Sequence, residues 1–248
     1  MKTVAIVQAR VGSTRLPGKI LRALAGRSVL SHVLDRVRAA AGVDETVVAT
    51  TVAPADEAVA AEAVRCGVRV FRGDEDDVLS RYALAAAGAG ADVVVRVTSD
   101  CPLFDSGLLG AMLGAFHASR AGGRPLDYLS NTVLRTFPRG LDAEIFTRAA
   151  LERAAREATA PHEREHVTPY LYQHPDRFAV DQYARVPDFS AHRWTLDTPE
   201  DWELIRRVVE ALGPRGERFS TDAVLDLLRR HPDWVALNAG VEQKPLGR

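Results

Sequence analysis

Asp92-Val-Val-Val-Arg-Val97 is an almost unbroken β-branched run, and it narrows the choice of fold more than any other stretch of the chain. A strand with apolar side chains on both faces must be covered on both, the situation of a central parallel strand between helices. The preceding sequence alternates accordingly. Thr3-Val-Ala-Ile-Val-Gln8, Thr46-Val-Val-Ala-Thr50 and Val68-Arg-Val-Phe71 are further β-type runs. Between them, Ser28 is placed to cap a helix with Val29, Val33, Leu34 and Val37 on one face, ended by Gly42. Pro54 opens a second helix that Gly67 closes, and a third runs from about Asp77 to Ala87. This rhythm predicts an α/β fold with an open, doubly wound, mostly parallel sheet, whose ligands sit beyond the carboxyl ends of the strands.

The second half is less regular. Asp127-Tyr-Leu-Ser130, Ala143-Glu-Ile-Phe146, Phe178-Ala-Val180 and Arg193-Trp-Thr-Leu196 read as strands. A helix spans about Arg148 to Ala158, another begins beyond Pro161, and Thr198-Pro-Glu-Asp201 is a helix start. The tail after Pro232 lacks periodicity and is expected on the surface or in an oligomer contact. No internal repeat or long linker divides the 248 residues, so one mixed α/β unit with a smaller subregion is expected.

Composition removes several classes. With 46% hydrophobic and 26% charged residues, the chain can bury an ordinary core. A formal net charge of −1 gives no electrostatic reason for a nucleic-acid or anionic-membrane partner, so phosphate binding would need locally clustered cations. Cys66 and Cys101 lack metal-type spacing, and no signal peptide precedes Lys2. No stretch approaches the roughly 20 apolar residues that span a bilayer. A reducing, cytoplasmic setting is the expectation.

The cations do cluster, directly after the first strand. Ala9-Arg10-Val11-Gly12-Ser13-Thr14-Arg15-Leu16-Pro17-Gly18-Lys19 joins three cations, two glycines and two hydroxyls. A triphosphate needs backbone N–H groups that can approach closely, and Arg and Lys to offset its charge. The loop is not a P-loop: five residues separate Gly12 from Gly18, and Ile20 stands where the magnesium-binding hydroxyl belongs. The dinucleotide fingerprint G-x-G-x-x-G is absent as well. An ordinary solvated loop is the plainer alternative, and the density of cations and glycines weighs against it.

Ala-Arg-x-x-Ser-x-Arg-Leu-Pro-Gly-Lys after an N-terminal strand resembles the opening of the cytidylyltransferases that make CMP-activated acidic sugars. The likeness is greatest to the spore coat polysaccharide biosynthesis protein F branch, related to the CMP-Kdo and CMP-N-acylneuraminate synthetases. Arg72-Gly-Asp-Glu-Asp-Asp-Val-Leu-Ser-Arg-Tyr82, Val97-Thr-Ser-Asp-Cys-Pro-Leu103, Gly140-Leu-Asp-Ala-Glu-Ile-Phe146, Arg164-Glu-His-Val-Thr-Pro-Tyr170 and Leu196-Asp-Thr-Pro-Glu-Asp-Trp202 extend it, from about residue 1 to about residue 212. The resemblance implies a single nucleotidyltransferase domain over 1–248. Its nucleotide-binding half covers about 1–110, its acceptor and metal half about 111–212, and a C-terminal helix and tail 213–248. It also implies CTP and an acidic sugar as substrates, Mg²⁺ as cofactor, and a homodimer.

Residue by residue, the resemblance assigns Ala9, Arg10, Gly12, Ser13, Arg15, Lys19, Gly73, Asp74 and Arg81 to the nucleotide. Asp100 and Asp197 fall on the metal aspartates, and Arg10, Lys19 and Asp100 are the catalytic set. Arg139, Asp142, Glu144, His166 and Tyr170 lie in the acceptor-binding segments. Read without the resemblance, Asp100 is equally a turn residue before Pro102, and Asp197 equally a carboxylate at a helix entry. Negative charge in the first turn of a helix accounts for Glu75, Asp76 and Asp77, but not for Asp74.

His162-Glu163-Arg164-Glu165-His166 spells the metalloprotease signature H-E-x-x-H. Its two middle residues are charged, no Gly-x-x-His follows, and Pro169 cuts the helix three residues later, so a zinc site is not expected.

The loop chemistry and the resemblance together imply a Mg²⁺-dependent transfer of CMP from CTP to an acidic sugar, with pyrophosphate released; the choice of cytosine rests on the resemblance alone. A nucleotide-sugar glycosyltransferase remains an alternative, since open α/β sheets with a metal aspartate serve that reaction too; it would release no pyrophosphate. A non-catalytic nucleotide-binding partner is the other, and the intact Arg10, Lys19, Asp100 and Asp197 argue against it.

Overall fold

The computed structural model describes residues 1–215 and 217–243. In chain order the elements are β1 (Thr3–Gln8), β2 (Ala23–Leu24), β3 (Arg27–Ser28), α1 (Val29–Arg38), β4 (Glu45–Thr51), α2 (Glu57–Arg65), β5 (Arg69–Gly73), α3 (Val78–Ala89), β6 (Val93–Thr98) and α4 (Ser106–Ala121). There follow β7 (Tyr128–Ser130), β8 (Glu144–Thr147), α5 (Arg148–Glu157), α6 (Pro161–His166), α7 (Pro169–Tyr172), β9 (Val180–Gln182), α8 (Pro199–Leu212), α9 (Thr221–Arg230) and α10 (Pro232–Ala236). β2 and β3 pair as a small ribbon, and the other strands form a seven-stranded sheet in the order β5-β4-β1-β6-β8-β7-β9. Within that sheet every pairing is parallel except the two made by β8. The open, mostly parallel sheet predicted from the valine run is the observed architecture.

Strand order locates the site. From β1 the chain moves outward to β4 and β5, then returns to lay β6 against the other edge of β1. Such a reversal opens a crevice beyond the carboxyl ends of the two central strands. The basic loop leaves β1 there, and Ser99-Asp100 leaves β6 beside it.

The core follows the two-residue period of the strands. Ala5, Val7, Val93, Val95 and Val97 face a layer containing α1, α2 and α4, whereas Val4, Ile6 and Val94 face α3, α5 and α7. Each of these fully buried valine and isoleucine side chains contributes about 1.5–3 kcal/mol. A third cluster gathers Leu16, Leu141, Trp194 and Leu196 under α8 and α9. Helix starts are fixed by side-chain caps: Ser28 for α1, Asp77 for α3, Asp105 for α4 and Thr147 for α5. A capping box of Thr198 and Asp201 starts α8, and each such cap is worth roughly 1 kcal/mol.

Four segments depart from expectation. α4 was unannounced because Gly107, Gly110 and Gly114 dilute its helical pattern; it holds because Leu109, Met112, Leu113 and Phe116 pack on the sheet. The strand expected at Phe178–Val180 begins only at Val180. Arg193–Leu196 does not join the sheet and makes a single bridge to Arg139. The tail after Pro232 turns inward: Asn238 is buried, and its amide donates to the Arg193 carbonyl at 2.9 Å and to Asp201 Oδ1 at 2.8 Å. The last five residues of that tail, 244–248, lie outside the described residues. Among the described residues no helix is long and apolar enough to cross a membrane.

Candidate active site

A cleft of about 920 Å³ occupies the crevice at the sheet's switch point. Its first wall is the basic loop. The Ala9 N–H donates to the Ala49 carbonyl at 3.2 Å, continuing the sheet by one bond. The Val11 N–H then donates at 2.6 Å to Asp56 Oδ1, a carboxylate only 3% exposed whose other oxygen accepts the Thr51 hydroxyl. Asp56 thereby welds the loop to the end of β4. Farther along, Gly18 has φ 65°, a conformation that suits glycine and turns the chain into the tight Lys19–Leu21 turn.

That turn delivers Lys19 to two carboxylates. Its Nζ donates to Asp100 Oδ2 at 2.7 Å and to Asp197 Oδ1 at 2.8 Å. The aspartates are brought together by a backbone bond from the Leu196 N–H to the Asp100 carbonyl, 2.8 Å long. The other oxygen of Asp197 receives Arg193 Nη2 at 2.7 Å and Arg15 Nη2 at 3.1 Å. Burial would push the Lys19 ammonium down, but the two carboxylates outweigh it and hold its pKa above the ordinary value. For Asp197, burial acts upward, and Lys19, Arg15 and Arg193 together keep the carboxyl below its usual range. Arg193 is itself clamped by Asp201, at 2.9 and 3.1 Å.

The opposite wall comes from the antiparallel half of the sheet. Glu144, at the start of β8, accepts from Arg96, from the Tyr128 hydroxyl at 2.7 Å, and from the Thr168 hydroxyl. Its carboxylate is thus committed to the floor of the cleft. Arg135 forms a forked pair with Asp142, at 2.6 and 2.9 Å. Arg139 lines the cleft, and its guanidinium has no hydrogen-bond or carboxylate partner among the described residues. Burial and the neighbouring Arg135 push its pKa down. The His166 ring lines the same wall, its pKa lowered chiefly by burial.

Between His166 and Thr168 the backbone is strained. Val167 has φ 74° and ψ −54°, and the Thr168 N–H closes a three-residue turn onto the His166 carbonyl at 2.9 Å. A β-branched residue in this γ-turn costs of order 1–3 kcal/mol, and surroundings must enforce it. The turn ends α6 and starts α7 while both flanking side chains still reach the cleft.

The cleft unites Ala9, Arg10, Gly12, Ser13, Arg15, Lys19, Arg81, Asp100, Asp197, Arg139, Asp142, Glu144 and His166 among the residues picked out in the sequence. Three fall elsewhere. Tyr170 is buried, and its hydroxyl donates to Glu157 at 2.8 Å and accepts from Arg177 at 2.6 Å. Tyr172, two residues on, lines the cleft in its place. The Asp74 carboxylate caps the following turn through the Asp76 and Asp77 N–H groups, at 2.9 and 2.8 Å. Gly73 packs against the Arg81 side chain and Phe71, behind the cleft wall.

Within the H-E-x-x-H stretch, Glu163 serves the helix start, whereas Glu165 and His166 line the cleft. Glu163 accepts from the Ala160 N–H at 3.0 Å and the Thr159 N–H at 3.2 Å, capping the six-residue α6. Among the described residues no group of three or more His, Cys, Asp or Glu is arranged to hold a metal. Residues that sequence reasoning passed over are Asp56, Arg96, Arg135 and Arg193. For Arg96 a signal existed: a lone cation inside a valine run can stay buried only against a carboxylate. The other three carried no local mark.

An open α/β sheet whose switch-point crevice combines a basic loop with paired aspartates defines a nucleotide-handling enzyme. The chain belongs to the cytidylyltransferase family, whose model matches residues 4–220, and it is a nucleotidyltransferase. It is 36% identical to the spore coat polysaccharide biosynthesis protein SpsF of Bacillus subtilis, over 92% of this chain and 94% of that one. It is 30% identical to a 3-deoxy-manno-octulosonate cytidylyltransferase of Anaeromyxobacter, over 87% of this chain and 100% of the relative. The solved structure of a cytidylyltransferase from Leptospira borgpetersenii superposes with a TM-score of 0.89 at 35% identity, covering 95% of this chain and 97% of that one.

Proposed function

We propose that this enzyme transfers CMP from CTP to an acidic sugar, releasing pyrophosphate, for polysaccharide or glycoconjugate assembly. The observation that carries the reading is the meeting of Lys19, Asp100 and Asp197 at the root of the basic loop. Arg10 and Arg15, with the N–H groups around Gly12 and Ser13, would hold the triphosphate. Arg81 is 2% exposed and its Nε has no partner among the described residues, which suits a donor to the base, with Gly73 and Asp74 supporting it from behind. On the far wall the Arg139 guanidinium, without a partner among the described residues, suits an acceptor carboxylate, which it can meet with two parallel bonds. A relative acting on an octulosonate favours a sugar acid there. Asp142, Glu144 and His166 would shape that subsite.

Two carboxylates whose oxygens converge on one point, within 2.8 Å of a single nitrogen, fit a hard divalent cation such as Mg²⁺. Such a cation takes one or two carboxylates and completes its shell with substrate phosphates; when bound it would neutralise charge on the reacting phosphate. The rest is alignment. Arg10 and Lys19 steady the leaving pyrophosphate, and the acceptor wall holds the attacking oxygen in line with the α-phosphorus.

The test is pyrophosphate release from four nucleoside triphosphates against a panel of acidic sugars. CTP should exceed ATP and GTP in kcat/KM by a large factor and UTP by a smaller one, since a site built to hydrogen-bond a pyrimidine would leave its polar groups unpaired with a purine. A preference for UTP or GTP overturns the CMP assignment. Turnover of a sugar nucleotide without pyrophosphate would instead make the enzyme a glycosyltransferase.

A further inference from the structure

We propose that Lys19 closes the metal position of the empty enzyme, so that the divalent cation enters only together with the triphosphate. The inference rests on the metal assignment made above and gives Lys19 a second role, beyond phosphate contact. Its side chain is only 11% exposed, and its ammonium takes one oxygen from each prospective ligand, at 2.7 and 2.8 Å. A magnesium ion needs those same oxygens at about 2.0–2.1 Å. The two cations cannot share the point. Nor can the metal slide to the far edge of Asp197, because Arg193 and Arg15 hold that oxygen at 2.7 and 3.1 Å. The free oxygen of Asp100 faces the Cys101 thiol at 3.6 Å.

Local charge leads to the same order of events. Lys19, Arg15 and Arg193 stand against Asp100, Asp197 and Asp201, so the cluster is balanced as it is. A divalent cation arriving alone would add two positive charges to a closed, balanced site. A triphosphate arriving with it brings the missing negative charge and gives Lys19 somewhere to go. The side chain suits the move: a compact ammonium on a flexible four-carbon stem exchanges one oxygen cage for another without a fixed fork geometry. Lys19 thereby guards Asp100, which has no other cationic partner among the described residues, and the Asp197 oxygen that Arg15 and Arg193 leave open, and it yields both to the metal when phosphate oxygens replace them. Metal and nucleotide must then raise each other's affinity by one common factor.

Manganese serves as the probe, titrated into nucleotide-free protein and followed by the electron paramagnetic resonance signal of the free ion. Lys19→Met keeps the stem and removes the charge. It should bind Mn²⁺ at least tenfold more tightly than the wild type without nucleotide, and Asp100→Asn in the same background should abolish that gain. Lys19→Arg retains a cation and should stay weak. In the wild type, saturating CTP should tighten Mn²⁺ at least tenfold beyond the chelation that CTP shows without protein. Equal Mn²⁺ affinity in wild type and Lys19→Met overturns the proposal. Should Lys19→Met fail to unfold cooperatively, the wild-type comparison decides: unchanged Mn²⁺ affinity with and without CTP overturns it equally. If CTP binds to no form of the enzyme in a separate calorimetric titration, the functional reading falls, while the nucleotide-free manganese arm still reports on Lys19.

Discussion

Glu144→Ala probes how the floor of the cleft is held. The carboxylate is 4% exposed and accepts from three donors: the Arg96 guanidinium and the hydroxyls of Tyr128 and Thr168. Its removal takes the acceptor from both hydroxyls and the balancing charge from Arg96, which keeps only a neutral bond to Gln8 Oε1 at 3.1 Å. Losing one partner of a buried ion pair costs about 3–5 kcal/mol, because the remaining charge is left uncompensated. The orphaned hydroxyls add about 1 kcal/mol or more each where water does not reach them, and the vacated space admits some. A net loss of about 4 kcal/mol is expected. In a chain of this length each kcal/mol moves Tm by roughly 2–4 °C, so the midpoint should fall by roughly 8–16 °C. Glu144→Gln, which keeps the shape and drops the charge, should fall between the two. The double replacement Arg96→Leu with Glu144→Leu should cost less than the sum of the single changes, since no charge remains unpaired. Urea and thermal unfolding followed by circular dichroism measure the wild type, the two Glu144 variants, the two single leucine replacements and the double. A Glu144→Ala loss under about 1 kcal/mol, the value of an exposed pair, would refute the reasoning.

Asp56→Ala releases the Val11 N–H, so KM for CTP should rise about tenfold, the loss of one charge-assisted hydrogen bond, while KM for the acceptor stays put; a lower Tm with both KM values unchanged would make Asp56 merely structural. Gly140 has φ 104°, and a Cβ there would lie 2.5 Å from the Trp194 carbonyl carbon. Gly140→Ala should therefore cost more than about 2 kcal/mol and also displace the Arg193–Asp197 segment, and a wild-type Tm would contradict it. Burial holds His32, His117, His166 and His192 below the ordinary histidine pKa. The unfolded chain then binds more protons below about pH 6.5, so stability should decline as pH falls from neutrality through that value. Urea midpoints between pH 7.5 and 5 test the sign, and His32→Gln should flatten the decline.

The parallel half of the fold was legible because its signals are local and agree. The valine run of β6, the Ser28 cap and the Pro54 helix start each dictate their own element, and β1, β4, β5 and β6 lie where those signals put them. Beyond α4 the signals thin. β7, β8 and β9 have three or four residues each, too few for a period to show, and β8 takes its direction from pairing with β6. Site residues divide in the same way. Arg10, Arg15 and Lys19 advertise themselves by clustering in one loop. Asp56 and Arg193 act through partners 45 and 8 residues away, and nothing in their own neighbourhoods marks them. Tyr170 and Tyr172 stand two apart on one short helix, so which ring meets the cleft depends on how α7 is rotated, and the strained turn at Val167 sets that rotation.

The inward turn of the last described residues has a consequence for how the enzyme comes into being. Lys19 and Asp100 meet across 81 residues, and both belong to the part of the chain made first. Arg193, which holds Asp197 in place, is in turn gripped by Asn238 through its carbonyl and by Gln243 through its guanidinium, 45 and 50 residues later. A nascent chain therefore has its basic loop and first aspartate long before the clamp that fixes the second. A protein clipped ahead of Asn238 would keep the basic loop and both aspartates but lose that clamp, together with Gln243 from the lining of the cleft, so chemistry at one end of the molecule waits on the arrival of the other.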